Sequence, residues 1–207
     1  VRVLAHTVRA SLFWTVGIVL VSALFVFNHS TTSVYVGAVW MTLGFYSELE
    51  KRGLSWKKIA PLALFSGLIF ASVLFAYLSK GSVESDIVKS AVDPLALTLK
   101  KLFPEQSYTA ENILPYMPGV FVSVLLTALA VSFIFESNVF RLFHLKREKR
   151  VASMRWLEFK LPDAFIWIAL VSFFFSMVEI GVSQIKLIAI NTAVVCIVAF
   201  FFQGIAN

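Results

Sequence analysis

Six apolar stretches, each close to the length that crosses a bilayer, constrain this chain more than any other feature: 8–27, 32–49, 59–78, 119–135, 161–178 and 185–205. A helix needs about 20 residues to cross ~30 Å of hydrocarbon. Within lipid every backbone N–H and C=O must be paired inside the segment, which leaves the helix as the fitting element. The pattern predicts an all-α polytopic membrane helix bundle with six transmembrane helices, in which the shorter stretches 32–49, 119–135 and 161–178 tilt little. Composition agrees: 59% of the residues are hydrophobic and 14% charged, against roughly 45–50% and about 25% in soluble domains. The mean hydropathy is +0.85.

The single cysteine, Cys196, excludes a disulfide framework and a structural zinc module, each of which needs several; it reads as a small core residue. Val1 is not Met and the last stretch runs almost to Asn207, so the chain reads as part of a longer one. Arg2 and Arg9 ahead of an apolar run resemble a signal peptide, but no A-x-A-like cleavage site follows. The first stretch is therefore expected to be a retained helix.

The net charge of +6 does not indicate a nucleic-acid partner, because the basic residues sort by side of the membrane. Arg2, Arg9, Lys51, Arg52, Lys57, Lys58, Arg141, Lys146, Arg147, Lys149, Arg150, Arg155 and Lys160 fall on one side, and Lys80, Lys89, Lys100, Lys101 and Lys186 on the other. The positive-inside rule then puts both termini in the cytoplasm of a bacterial inner membrane. Arg141, Lys146, Arg147, Lys149 and Arg150 lie in a basic cytoplasmic segment, 136–160, that mixes charges with Leu142, Phe143, Trp156 and Leu157. Such a segment touches anionic head groups or docks a partner subunit.

Outside the membrane, 79–118 is too long to be only a connection. Val83, Ile87, Val88, Ala91 and Val92, then Leu95, Leu99, Leu102 and Phe103, recur at helical spacing with Asp86, Lys89, Lys100 and Lys101 opposite. Asp93-Pro94 reads as an N-cap followed by a proline at the first helical position. This predicts two short amphipathic helices, resting on lipid or covering an external cavity.

Few polar residues lie inside the stretches. Gly119, Ser123 and Thr127 recur every four residues, the spacing that lets helix backbones approach closely. Glu48, Glu136 and Asp163 fall at cytoplasmic ends, within reach of water. Asn191 sits deeper, about a turn and a half inside the last stretch, with Glu179, Gln184 and Lys186 at the turn above it. A buried amide must find a partner. Either Asn191 makes an interhelical hydrogen bond, or Asn191, Glu179, Gln184 and Lys186 line an outward cavity for a small-molecule ligand.

No G-x-x-x-x-G-K-[ST] phosphate loop and no H-E-x-x-H is present. His6, His29 and His144 are scattered, and no Ser, His and acid share one depth. The expectation is a protein that is not an enzyme and needs no cofactor. Internal repeats of the kind seen in many transporters are not evident.

Two stretches resemble the YybS-like bacterial inner-membrane proteins. Glu48-Leu49-Glu50-Lys51-Arg52-Gly53-Leu54-Ser55 is similar to that family's E-x-x-x-R-G-x-S turn. Lys160-Leu161-Pro162-Asp163, Trp167, Asn191 and the F-x-Q-G of Phe201, Gln203 and Gly204 resemble its closing pattern. The family is distantly similar to the substrate-binding subunits of energy-coupling-factor transporters. The resemblance implies a six-helix subunit that binds a small molecule from outside and relies on separate ATPase and coupling subunits. The alternative is a non-catalytic subunit that scaffolds a larger membrane complex.

Overall fold

The computed structural model describes residues 1–80, 82, 85–102, 108–144, 160–178 and 183–206. They form α1 (Arg2–Thr7), α2 (Ala10–Val26), α3 (Ser30–Lys51), α4 (Trp56–Ser79), α5 (Asp86–Leu102), α6 (Ala110–Ile113), a 3-10 turn over Leu114–Tyr116, α7 (Met117–Leu142), α8 (Ala164–Met177) and α9 (Ser183–Ala206). No strand occurs among the described residues.

Three segments, α4, the helical run that ends in α7, and α9, are long and apolar enough to cross a bilayer, while α2 and α8 are apolar but shorter. At 22 residues, α3 has the length to cross as well, but it is richer in polar side chains because it is the enclosed helix. Among its buried residues are Ser33, Thr42, Ser47 and Glu50. Ser33 donates to Val21 O, Thr42 to Ala38 O and Ser47 to Leu43 O. Paired in this way, hydroxyls cost little in an interior.

The bundle is built outward from α3, which packs against α2, α4 and α7, while α9 packs on α7 and α8 on α9. Close approaches set these crossings. A Cβ at Gly17 of α2 would strike the Trp40 indole, and one at Gly44 of α3 would lie 2.5 Å from the Phe13 ring. Phe13 is fully buried and stacks on Trp40 with centroids 5.0 Å apart. After α3, Gly53 at φ +78° turns the chain back toward α4, a conformation that favours glycine.

The structure departs from the sequence reading in three places. Residues 2–7, outside the expected first span, form α1; extended Val8 and Arg9 break the helix before α2. The Asp93-Pro94 boundary does not divide 79–118 into two amphipathic helices, because α5 runs through Pro94. An interior proline costs a helix about 3 kcal/mol. Against that, Ile87, Val88 and Val92 bury almost completely beneath α5, in one cluster with Val34, Ala38, Ala71, Ile113 and Leu125. At about 1.5–3 kcal/mol per buried side chain, this burial outweighs the proline. Finally, α7 extends to Leu142, so Glu136 lies on a helix rather than in a loop. Lys146, Arg147, Lys149 and Arg150 lie outside the described residues, as do Val83, Phe103 and Glu179.

Candidate functional site

One cavity of about 330 Å³ lies beneath α5. Thr31, Val34 and Tyr35 of α3 form one wall and Leu68, Ala71, Ser72, Phe75 and Ala76 of α4 a second. Ala91 of α5 closes it above, and Leu114 of the 3-10 turn with Met117, Pro118 and Phe121 of α7 supply the remaining side. The N-terminal end of α3 is fastened to α5 by a hydrogen bond between the Thr31 and Ser90 hydroxyls. Tyr35 also meets Phe121, with ring centroids 5.2 Å apart. The lining is apolar apart from Thr31, Tyr35 and Ser72, and it reaches the outer surface at Ser72, Ala76 and Pro118, which are exposed. A site of this size, largely apolar with a few hydroxyls, suits a small hydrophobic molecule.

Asn191 is not part of that wall. Its Oδ1 accepts from Gly119 N–H at 2.7 Å, and its Nδ2 donates to Pro115 O and Leu187 O at 3.0 Å each. The Pro115 carbonyl and the Gly119 N–H are the pair that an uninterrupted α-helix would join to each other, and the Asn191 amide engages both. The contact needs glycine, since a Cβ at Gly119 would sit 2.6 Å from Asn191 Oδ1 and 2.8 Å from its Cα. Asn191 thus stands in the seam between α9 and the start of α7. Ser123 is buried and donates to Gly119 O, and Thr127 donates to Ser123 O. Gln184 is exposed and Lys186 half-buried at the start of α9, and neither lines the cavity. Arg141 is exposed, near Asn138.

The opposite end of the bundle holds a group of charges. Arg2 is 2% exposed; its Nη2 lies 2.7 Å from both Glu50 carboxylate oxygens and its Nη1 2.8 Å from Glu136 Oε2. His6 Nε2 is 3.1 Å from Glu50 Oε2. The guanidinium lies over the Phe133 ring, 4.0 Å from its centroid, with Tyr46 at 5.2 Å. Lys51 donates to Ala5 O at 2.6 Å, capping a carbonyl of the last turn of α1. Glu136, expected within reach of water, is instead 6% exposed and paired with Arg2. Sequence reasoning missed this group because Arg2 reads as an orientation anchor. Among the described residues no three His, Cys, Asp or Glu side chains converge on a metal position.

No protein-family model, curated protein or solved structure matches the chain.

Proposed function

We propose that this chain is a six-span membrane protein that binds a small apolar molecule in the cavity beneath α5, as the ligand-binding member of a transport system whose ATPase is a separate subunit. The cavity carries the reading: about 330 Å³ walled by α3, α4, α5 and α7, within the roughly 300–1,000 Å³ range of small-molecule sites. The ligand site therefore moves from the Asn191 region to the other side of α7. The 13 to 5 division of Lys and Arg supports placing α5 outside and both termini in the cytoplasm. The short motifs shared with the YybS-like proteins agree with a bacterial inner-membrane subunit.

Binding of the environment-sensitive dye N-phenyl-1-naphthylamine to the purified protein in mild detergent tests this reading. Ala76→Trp places an indole at the exposed edge of the cavity without disturbing a buried position. Dye fluorescence that falls several-fold in this variant, with the thermal midpoint kept, supports the site. Equal fluorescence in both proteins would contradict it.

A second reading, a scaffold subunit, is favoured by α8. Ile166, Trp167, Leu170, Phe174 and Met177 are all exposed on a helix of 14 residues, short for a free span. Co-elution of a defined membrane protein that is lost on Trp167→Ser and Phe174→Ser would support it.

A further inference from the structure

The cavity beneath α5 could admit a molecule from two directions, and the two differ. Toward the external water it is roofed by α5, whose Ile87, Val88 and Val92 are almost completely buried and whose Ser90 hydroxyl is tied to Thr31 of α3. Among the lining residues, only Ser72 and Ala76 of α4 and Pro118 of α7 are exposed. The opening therefore lies at the edge of the bundle where α4 meets the start of α7.

That edge belongs to an apolar outer face. On α4, Phe65, Ile69, Val73 and Tyr77 are exposed at four-residue intervals. Ser72 and Ala76 stand three residues after Ile69 and Val73, on the same face of the helix. Since α4 is long and apolar enough to cross a bilayer, such a row is covered by lipid tails, which are as apolar as leucine.

Depth points the same way. From Leu68, the deepest α4 residue of the wall, to Ser79 at the end of the helix is about 16 Å at 1.5 Å per residue, close to half of the ~30 Å hydrocarbon thickness. Just below Leu68 the wall closes, because a Cβ at Gly67 would lie 3.0 Å from Ala38 O and 3.1 Å from Leu125 Cδ1. The cavity thus spans the depth of one leaflet. The Thr31 hydroxyl, in the first turn of α3, marks its outer end, and the floor is apolar.

We propose that the occupant of the cavity is an acyl chain of an outer-leaflet phospholipid, which enters sideways between α4 and α7 past Ser72, Ala76 and Pro118 while its head group stays at the membrane surface. This rests on the ligand-binding reading and the orientation given above, and it names the ligand class. A water-borne ligand has to pass α5, whose underside is buried. A tail in the leaflet already lies at the depth of the opening.

Photolysis of the full chain in phosphatidylcholine vesicles, doped with a phosphatidylcholine that carries a diazirine midway along one acyl chain, tests the proposal, with adducts mapped by peptide mass spectrometry. Tyr35 and Phe121, which line the cavity, should carry the lipid, as should the exposed Phe65 and Phe174. Ala76→Trp, and independently Ser72→Trp, should cut the adducts on Tyr35 and Phe121 several-fold and leave those on Phe65 and Phe174 unchanged. Adducts confined to exposed positions, in a protein that binds the naphthylamine dye in detergent and loses it in Ala76→Trp, would overturn entry from lipid and leave the ligand-binding reading standing. Cavity adducts undiminished in both tryptophan variants would overturn the opening between α4 and α7. Absence of both dye binding and cavity adducts would remove the ligand-binding reading as well.

Discussion

Arg2 and Glu50 meet through a single guanidinium nitrogen, Nη2 of Arg2, placed 2.7 Å from each carboxylate oxygen of Glu50 at the closed end of the bundle. This contact fastens a six-residue helix, far too short to persist alone, beneath the end of α3. The remaining Nη1 reaches α7 through Glu136. Three helices are thus joined by one side chain.

Arg2→Met should be strongly destabilising, because it removes the buried cation that Glu50 and Glu136 share. A broken buried pair costs about 3–5 kcal/mol. The triple change Arg2→Met, Glu50→Gln, Glu136→Gln removes both carboxylate charges as well and should recover part of that loss. Urea unfolding in detergent, followed by tryptophan fluorescence, measures both. A triple variant no more stable than the single one would show that packing, not charge, holds α1.

Asn191→Leu should lower stability while leaving cavity binding intact. The substitution strips the partner from the buried Gly119 N–H as well as one from the exposed Pro115 O, and an unsatisfied buried donor costs about 1–3 kcal/mol. The naphthylamine dye should bind the variant as it binds the unaltered chain, since Asn191 does not line the cavity. Loss of dye binding at unchanged stability would return the ligand site to Asn191.

Gly119→Val tests the same seam from the other helix. With Asn191 atoms 2.6–2.8 Å from the position of a Cβ, overpacking should cost about 1–3 kcal/mol. Ser123→Leu, at an 8% exposed position on the same helix, should act in the same direction. Thermal midpoints unchanged in both would place this face of α7 against lipid.

Topology can be probed on whole cells in a Cys196→Ala background, Cys196 being buried. Cysteine at Ser85, ahead of α5, should label with a membrane-impermeant maleimide from outside, and cysteine at Arg52 only after permeabilisation. Labelling of both from one side would sink the assigned orientation.

The helices were legible in the sequence because lipid imposes one rule on every residue of a span, and α4 and α9 extend no more than three residues beyond the expected stretches at either end. What failed were features whose cause lies far away in the chain. Pro94 looks like a helix boundary until the burial of Ile87, Val88 and Val92 against α3, α4 and α7 is known. Arg2 and Glu136 look like solvent-facing ends of separate spans, and only the fold brings them within 2.8 Å. The Gly119 repeat and the amide of Asn191 were both visible, but their pairing with each other was not. The cavity left even less trace, since its lining is mostly ordinary apolar sequence drawn from α3, α4, α5, the 3-10 turn and α7.

Native mass spectrometry of the full chain, extracted from its own membrane in mild detergent, tests the central claim most directly. The account predicts a mass adduct of small-molecule size that releases a hydrophobic compound on activation, and the loss of that adduct in Ala76→Trp while Asn191→Leu retains it. An unadorned chain mass in all three proteins, with the naphthylamine dye also excluded, would contradict the ligand-binding reading and leave the scaffold role in its place.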